Sequence, residues 1–300
     1  MTNSVKRKGI ILAGGKGTRL YPLTKSISKQ LLPVYDKPMI YYPLTTLILA
    51  GISEILIVSS PRDLPSFKQL MGNGRQWGLE LSYAEQLKPE GIAQALLIGA
   101  EFISGDNVAL ILGDNFFYAK NLKNALQEAS AHNSGATIFG YYVKNPSDYG
   151  IVSFDKKGTP ESIIEKPKIS SSSYAVTGLY FYDNSVLEIA KELKPSLRGE
   201  LEITDVNSAY LKKGNLRVEI LSSGTAWLDA GEPNALLDAA NFVRIVEERQ
   251  GLKIGCPEEV AYLMKLIDFE QMEVLIKKHA RTSYGDYLAD VLGRPAFEDF

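Results

Sequence analysis

Through the first half of the chain, short unbroken apolar runs alternate with longer stretches in which apolar residues recur every three to four positions. Residues 9–13, 54–59 and 108–112 are runs of the first kind, and their lack of polar alternation predicts interior parallel strands covered on both faces by crossover helices. Residues 38–50 predict a helix that closes at Gly51, and a further helix is expected near 92–102. In the second half, 121–132 reads as a helix and 136–143 as a strand. Residues 150–182 hold several β-rich runs broken by Gly158, Pro160, Pro167 and the serines at 170–173, so the sheet is expected to be mixed. Short strands at 216–221 and 225–228 lead to Asp229, and a helix at 235–249 ends at Gly251. Three more helical stretches, 258–266, 269–279 and 284–292, form a tail expected to stand apart from the rest. The pattern predicts an α/β fold in which a mixed, mostly parallel sheet is flanked by helices. An α/β body over 1–250 is followed by a helical C-terminal segment over 251–300. No internal repeat is visible.

Composition narrows the function classes. The 300 residues are 45% hydrophobic and 23% charged, as in ordinary globular proteins, and no window approaches the ~18 consecutive apolar residues of a membrane helix. A net charge of -2 provides no global field for nucleic acid or an anionic membrane, so any anion must be held locally. The apolar run at 10–13 is too short for the core of a signal peptide, and the lone Cys256 can form no internal disulfide, which fits a cytoplasmic protein. His132 and His279 fall near the ends of expected helices, where an imidazole commonly meets terminal carbonyls rather than acting as a catalyst.

The chemistry concentrates where the first strand ends. Leu12-Ala13-Gly14-Gly15-Lys16-Gly17-Thr18-Arg19-Leu20 removes the side chains that would keep a polyphosphate from backbone N–H groups, and Arg19 adds a planar fork suited to phosphate oxygens. The loop is not a Walker motif, because Gly17 follows Gly15-Lys16. It is not a dinucleotide fingerprint either, because Leu20 occupies the third glycine position. A second cation, Lys29, follows in Lys29-Gln30-Leu31-Leu32-Pro33. Asp114 and Asp229 each close an apolar strand, and ligands of open α/β sheets bind outside the carboxyl ends of strands, so two residues far apart in sequence can converge there.

Taken with Tyr35-Asp36-Lys37-Pro38-Met39, Gly113-Asp114-Asn115, Glu165-Lys166-Pro167, Val176-Thr177-Gly178-Leu179-Tyr180, Gly199-Glu200-Leu201-Glu202-Ile203-Thr204-Asp205 and Trp227-Leu228-Asp229, these motifs resemble the sugar-1-phosphate nucleotidyltransferases over about residues 7–265. The resemblance implies a Rossmann-like sheet with a sugar-binding insertion at about 116–221. It implies Arg19, Lys29 and Lys166 as catalytic cations, and Mg²⁺ held by Asp114 and Asp229. Leu12, Gly14, Gly15, Gly17, Thr18, Arg19, Lys29 and Gln30 would hold the nucleotide, with Gln86 and Gly91 reading the pyrimidine edge. Gly150, Glu165, Lys166 and Val176 would hold the sugar phosphate. In the detail of these motifs the implied substrates are dTTP and glucose 1-phosphate, and the implied assembly is a homotetramer with feedback by a dTDP-sugar.

The chain departs from the family pattern after Asp229, where Ala230-Gly231-Glu232-Pro233-Asn234 stands in place of Thr-Gly-Thr. UTP as the nucleotide and a non-catalytic sugar-nucleotide sensor remain alternatives at this stage. A metal-dependent glycosyltransferase is disfavoured because no Asp-x-Asp pair occurs in the sequence.

Overall fold

The computed structural model describes residues 6–294. Its strands are β1 (Arg7–Leu12), β2 (Pro33–Val34), β3 (Lys37–Pro38), β4 (Glu54–Ser59), β5 (Glu80–Glu85), β6 (Asn107–Leu112), β7 (Asn115–Tyr118), β8 (Ala136–Tyr142), β9 (Gly150–Phe154), β10 (Pro160–Glu165), β11 (Tyr174–Tyr182), β12 (Leu216–Ile220) and β13 (Ala226–Asp229). The helices are α1 (Tyr41–Leu49), α2 (Leu64–Met71), α3 (Gln94–Ile98), α4 (Ala100–Ile103), α5 (Leu122–Ala131), α6 (Val186–Glu192), α7 (Ile203–Lys212), α8 (Pro233–Gln250), α9 (Pro257–Leu263), α10 (Phe269–Lys278) and α11 (Ser283–Gly293).

Nine strands form the main sheet, in the order β10-β9-β11-β6-β1-β4-β5, with β8 branching from β11 and β12 paired to β8. Strands β5, β4, β1 and β6 are parallel to one another, whereas β11 runs antiparallel to β6, β8 and β9. Strands β8 to β12, between residues 136 and 220, therefore extend the same sheet rather than starting another. The apolar runs behave as buried parallel strands should. Ile11, Ile55, Ile57, Ala109 and Ile111 face one core layer, while Ile10, Leu56, Val58, Val108 and Leu110 face the other. On the first face α1 comes so close that a Cβ on Gly9 would stand 2.8 Å from Cδ1 of Leu47.

The order β4-β1-β6 places a topological switch at β1, since the chain leaves β1 toward one neighbour and returns on its other side. The crevice beyond the carboxyl ends of β1 and β6 is where such folds bind ligands. A short antiparallel pair, β7 with β13, lies beside it and sets Asp229 opposite Asn115.

Three expectations are corrected, and some elements had none. The tail does not stand apart: Cys256, Val260, Ala261, Met272, Leu275, Leu288 and Val291 belong to the same apolar layer as α1, because the amphipathic faces of α9, α10 and α11 cover it. Pro38 is in the short strand β3, and α1 begins at Tyr41. The helix expected near 92–102 is broken at Gly99, whose Cα is pressed so near Ile10 that a Cβ would stand 2.8 Å from that side chain. Finally, β5, α2, α6 and α7 carry no prediction from the pattern.

Candidate active site

The glycine loop follows directly from β1. Gly15 and Gly17 have φ of 92° and 59°, a left-handed backbone that side chains rarely adopt, and the Gly17 carbonyl is fastened by the Thr24 hydroxyl at 2.7 Å. Ala13 N–H donates to Val58 and Gly113 N–H to Leu12, so the loop's root is tied to both neighbouring strands. Arg19 then projects from a single 3₁₀ turn, Thr18–Leu20, into an open cleft of about 240 Å³.

That cleft gathers Arg19, Asp114, Gly150, Glu165, Lys166, Val176 and Asp229 from six different segments. Lys29, which begins the next 3₁₀ turn, pairs through Nζ with Asp114 Oδ2, and Gln30 packs its side chain against Gly113. Burial alone would raise the Asp114 carboxyl, but Lys29 holds it below the ordinary carboxylate value. Asp229 is different. Burial, and after it the neighbouring Asp114 charge, pushes its carboxyl up to about 7, and its Oδ1 is buried without a hydrogen-bond partner. Two carboxylates thus share the cleft while only one has a lysine as counter-ion. Asn115 fixes the pair, donating from Nδ2 to Asp114 at 3.2 Å and accepting at Oδ1 from Trp227 Nε1 at 2.7 Å and Gly178 N–H at 3.1 Å.

The opposite wall is built on β9, β10 and α7. Glu165 ends β10, and Lys166 follows with φ of 43°, a strained value for a residue with a side chain. Its N–H bonds the Tyr149 carbonyl at 3.0 Å. Glu165 accepts from Thr204 at 2.6 Å and from Arg198 at 3.2 Å. A Cβ at Gly150 would be tight, 3.1 Å from both Glu165 Oε2 and Thr204 Oγ1, so these two side-chain ends would have to give way.

The pyrimidine-reading candidates Gln86 and Gly91 are not among the residues that line this cleft, although Ile92, next to Gly91, is. Gln86 follows β5, its Oε1 only 2.0 Å from where a Cβ on Gly14 would lie, and its Nε2 donates to Gln94 at 2.7 Å. Gly91 has φ of 109° and is pressed against the Leu201 backbone, which rules out a side chain. Leu12 ends β1, and Gly14, Gly15, Gly17 and Thr18 follow it in the loop, where Gly14 lies against Gln86.

Three residues of this site went unassigned in the sequence. Arg198 reaches into the cleft, bonded to Glu202 at 2.8 Å and to Glu165, yet alone among glutamates it reads as a solvated charge. Gln94 orients Gln86. Glu232, in the departing segment, accepts from Arg19 Nη1 at 3.0 Å.

The nucleotidyl transferase family model matches residues 8–245. The chain belongs to this family. As a nucleotidyl transferase, it is 56% identical over 287 residues to the glucose-1-phosphate thymidylyltransferase of Mycolicibacterium smegmatis, covering 96% of this chain and 99% of that one. It is 54% identical over 285 residues to the enzyme of the same name from Neisseria meningitidis, covering 95% and 99%. Among solved structures, a Bacillus anthracis protein described as a candidate glucose-1-phosphate thymidylyltransferase, in complex with sucrose, superposes with a TM-score of 0.74 at 41% identity over 79% of this chain and 95% of that one. A UDP-glucose pyrophosphorylase bound to UDP-glucose shares the fold, with a TM-score of 0.71 at 24% identity over 81% and 99%. No helix among the described residues is long and apolar enough to cross a membrane.

Proposed function

We propose that this nucleotidyl transferase joins glucose 1-phosphate to the α-phosphorus of dTTP, giving dTDP-glucose and pyrophosphate, the entry to dTDP-deoxysugar synthesis in the cytoplasm. The observation that carries this reading is the convergence, in one cleft, of Arg19 from the glycine loop, the Asp114 and Asp229 carboxylates and the Lys166 wall. Near-full-length identity to enzymes named for that reaction supports the choice of substrates.

The bond that forms is between a phosphate oxygen of glucose 1-phosphate and the α-phosphorus. The bond that breaks is that to the bridging oxygen of the departing pyrophosphate. A phosphate monoester with a second pKa of about 6 is already ionised near neutral pH, so no general base is required, and neither histidine is asked to provide one. The protein's work is alignment and charge compensation. Lys166 and Arg198 hold the attacking phosphate, while Glu165 and the Gly150 and Val176 backbone orient the sugar. Arg19 and Lys29, with the N–H groups of Gly14, Gly15, Gly17 and Thr18, hold the triphosphate along the loop. Gln86 reads the base through its free Oε1, its amide nitrogen being engaged by Gln94.

The donor set fits a divalent cation. Asp229 Oδ1 is buried and unpartnered, and a pair of carboxylates is how Mg²⁺ is commonly held, the remaining positions going to water and phosphate. Asp114 and Asp229 would hold Mg²⁺, which when bound neutralises charge on the triphosphate. A homotetramer with dTDP-sugar feedback accompanies this reading.

The test is an assay of dTTP, UTP, ATP and GTP against several sugar 1-phosphates, with products identified by mass spectrometry. The expected result is dTDP-glucose as the preferred product. A preference for UDP-glucose would replace the nucleotide assignment, and nucleotide binding without any product would make the chain a sensor.

A further inference from the structure

Arg19 is the loop's triphosphate-facing cation in the reading above, and this inference rests on that reading. Within the chain Arg19 is already engaged. Its Nη1 donates to Glu232 Oε1 at 3.0 Å, while its Nη2 lies 3.1 Å from the place a Cβ on Gly231 would take, a point equally 3.1 Å from Asp229 Oδ1. The guanidinium is thus folded over Gly231 toward the acidic pair, with Glu232 as its only salt-bridge partner among the described residues. Glu232 is the residue just before the first turn of α8 and has an extended backbone, so the 18-residue helix holds its position.

Both side chains are mostly exposed, at 64% for Arg19 and 61% for Glu232. Such a pair is weak and exchangeable, which distinguishes it from the buried Lys29–Asp114 pair. A phosphate chain offers Arg19 the same forked geometry with more charge and more acceptors, so it displaces a single carboxylate.

We propose that Glu232 is a positioning residue: it holds Arg19 over Asp229, competes with triphosphate for that guanidinium, and takes it back when pyrophosphate leaves. Glu232 therefore sets nucleotide affinity through Arg19 without contacting the nucleotide. The competition weakens binding of the incoming triphosphate and equally weakens retention of the leaving pyrophosphate.

The test is calorimetric titration of the full chain with dTTP and Mg²⁺, in the absence of sugar phosphate so that no turnover occurs. Wild type is compared with Glu232→Gln and Glu232→Thr, each also made in an Arg19→Ala background. The expected result is dTTP binding about three- to five-fold tighter in both Glu232 variants, with the gain absent once Arg19 is removed, and inhibition by pyrophosphate strengthened in step. Equal or weaker binding in the Glu232 variants overturns the proposal. So does an equal gain in the Arg19→Ala background, which would mark a general charge effect. If wild type binds no dTTP at all, the thymidylyl-transfer reading fails first and this inference with it.

Discussion

The indole N–H of Trp227 donates to Oδ1 of Asn115 at 2.7 Å, joining the strand that ends in Asp229 to the one that begins beside Asp114. The same oxygen accepts the Gly178 N–H, and the amide nitrogen donates to Asp114. One buried side chain therefore sets the spacing of both carboxylates. Asn115→Ala would leave the Trp227 and Gly178 donors without their acceptor, and is expected to destabilise the protein by about 2 kcal/mol in urea unfolding. It should also lower turnover more than that loss explains, because the Asp114–Asp229 geometry relaxes.

Cations on opposite walls should have separable effects. Arg19→Ala is expected to lower turnover by about 10²- to 10³-fold, since its charge acts as negative charge spreads in the transition state. Lys166→Ala should raise the KM for glucose 1-phosphate and leave the KM for dTTP near its normal value. Steady-state kinetics with each substrate varied in turn distinguishes the two. A near-normal turnover for Arg19→Ala would show that it has been misassigned.

Gly14→Ala tests the base-reading side. The added methyl meets the far end of a flexible side chain, Gln86 Oε1, rather than backbone. The fold is expected to survive with little change in Tm, while Gln86 swings away and the KM for dTTP rises about five-fold, the cost of one neutral hydrogen bond. Gly91→Ala should behave oppositely and lower Tm first, because its Cβ would stand 2.3 Å from the Leu201 carbonyl.

A pH effect is expected far from the cleft. Burial pushes the Glu259 carboxyl up to about 7 from 4.5, although Tyr287 donates to it at 2.6 Å and Arg294 lies 3.7 Å away, and Glu247 and Lys37 are the other charges that act on it. Between about pH 4.5 and 7 the native protein keeps a proton that the unfolded chain has lost, so this group makes stability fall as pH rises across that window. Glu259→Gln removes the dependence and should be the more stable form above pH 7. Chemical denaturation at pH 5 and pH 8 measures it.

What could be seen in the sequence follows physical rules. The strands β1, β4 and β6 are buried on both faces and leave unbroken apolar runs, and Gly15 and Gly17 of the loop mark a left-handed backbone. The edge strand β5, Glu-Leu-Ser-Tyr-Ala-Glu, is partly exposed and lies beside only β4, so it shows no such run. The helices of the tail have an apolar face, but the pattern names no surface to receive it, and only the structure places that face on α1. Arg198 and Glu232 depend on residues 33 and 213 positions away, so their spacing in the chain carries no signal. Asp114 and Asp229 were legible because each closes a strand and stands within a family motif. Their difference in charge environment, one paired with Lys29 and one unpaired, was not.

Pyrophosphate release from dTTP and glucose 1-phosphate, followed for wild type and for the Asp114→Asn, Asp229→Asn double variant at increasing Mg²⁺, tests the central claim most directly. Wild type is predicted to release one pyrophosphate per dTDP-glucose formed, and the double variant to fold normally yet lose the Mg²⁺-dependent rate. Full Mg²⁺-dependent release by the double variant would contradict the claim.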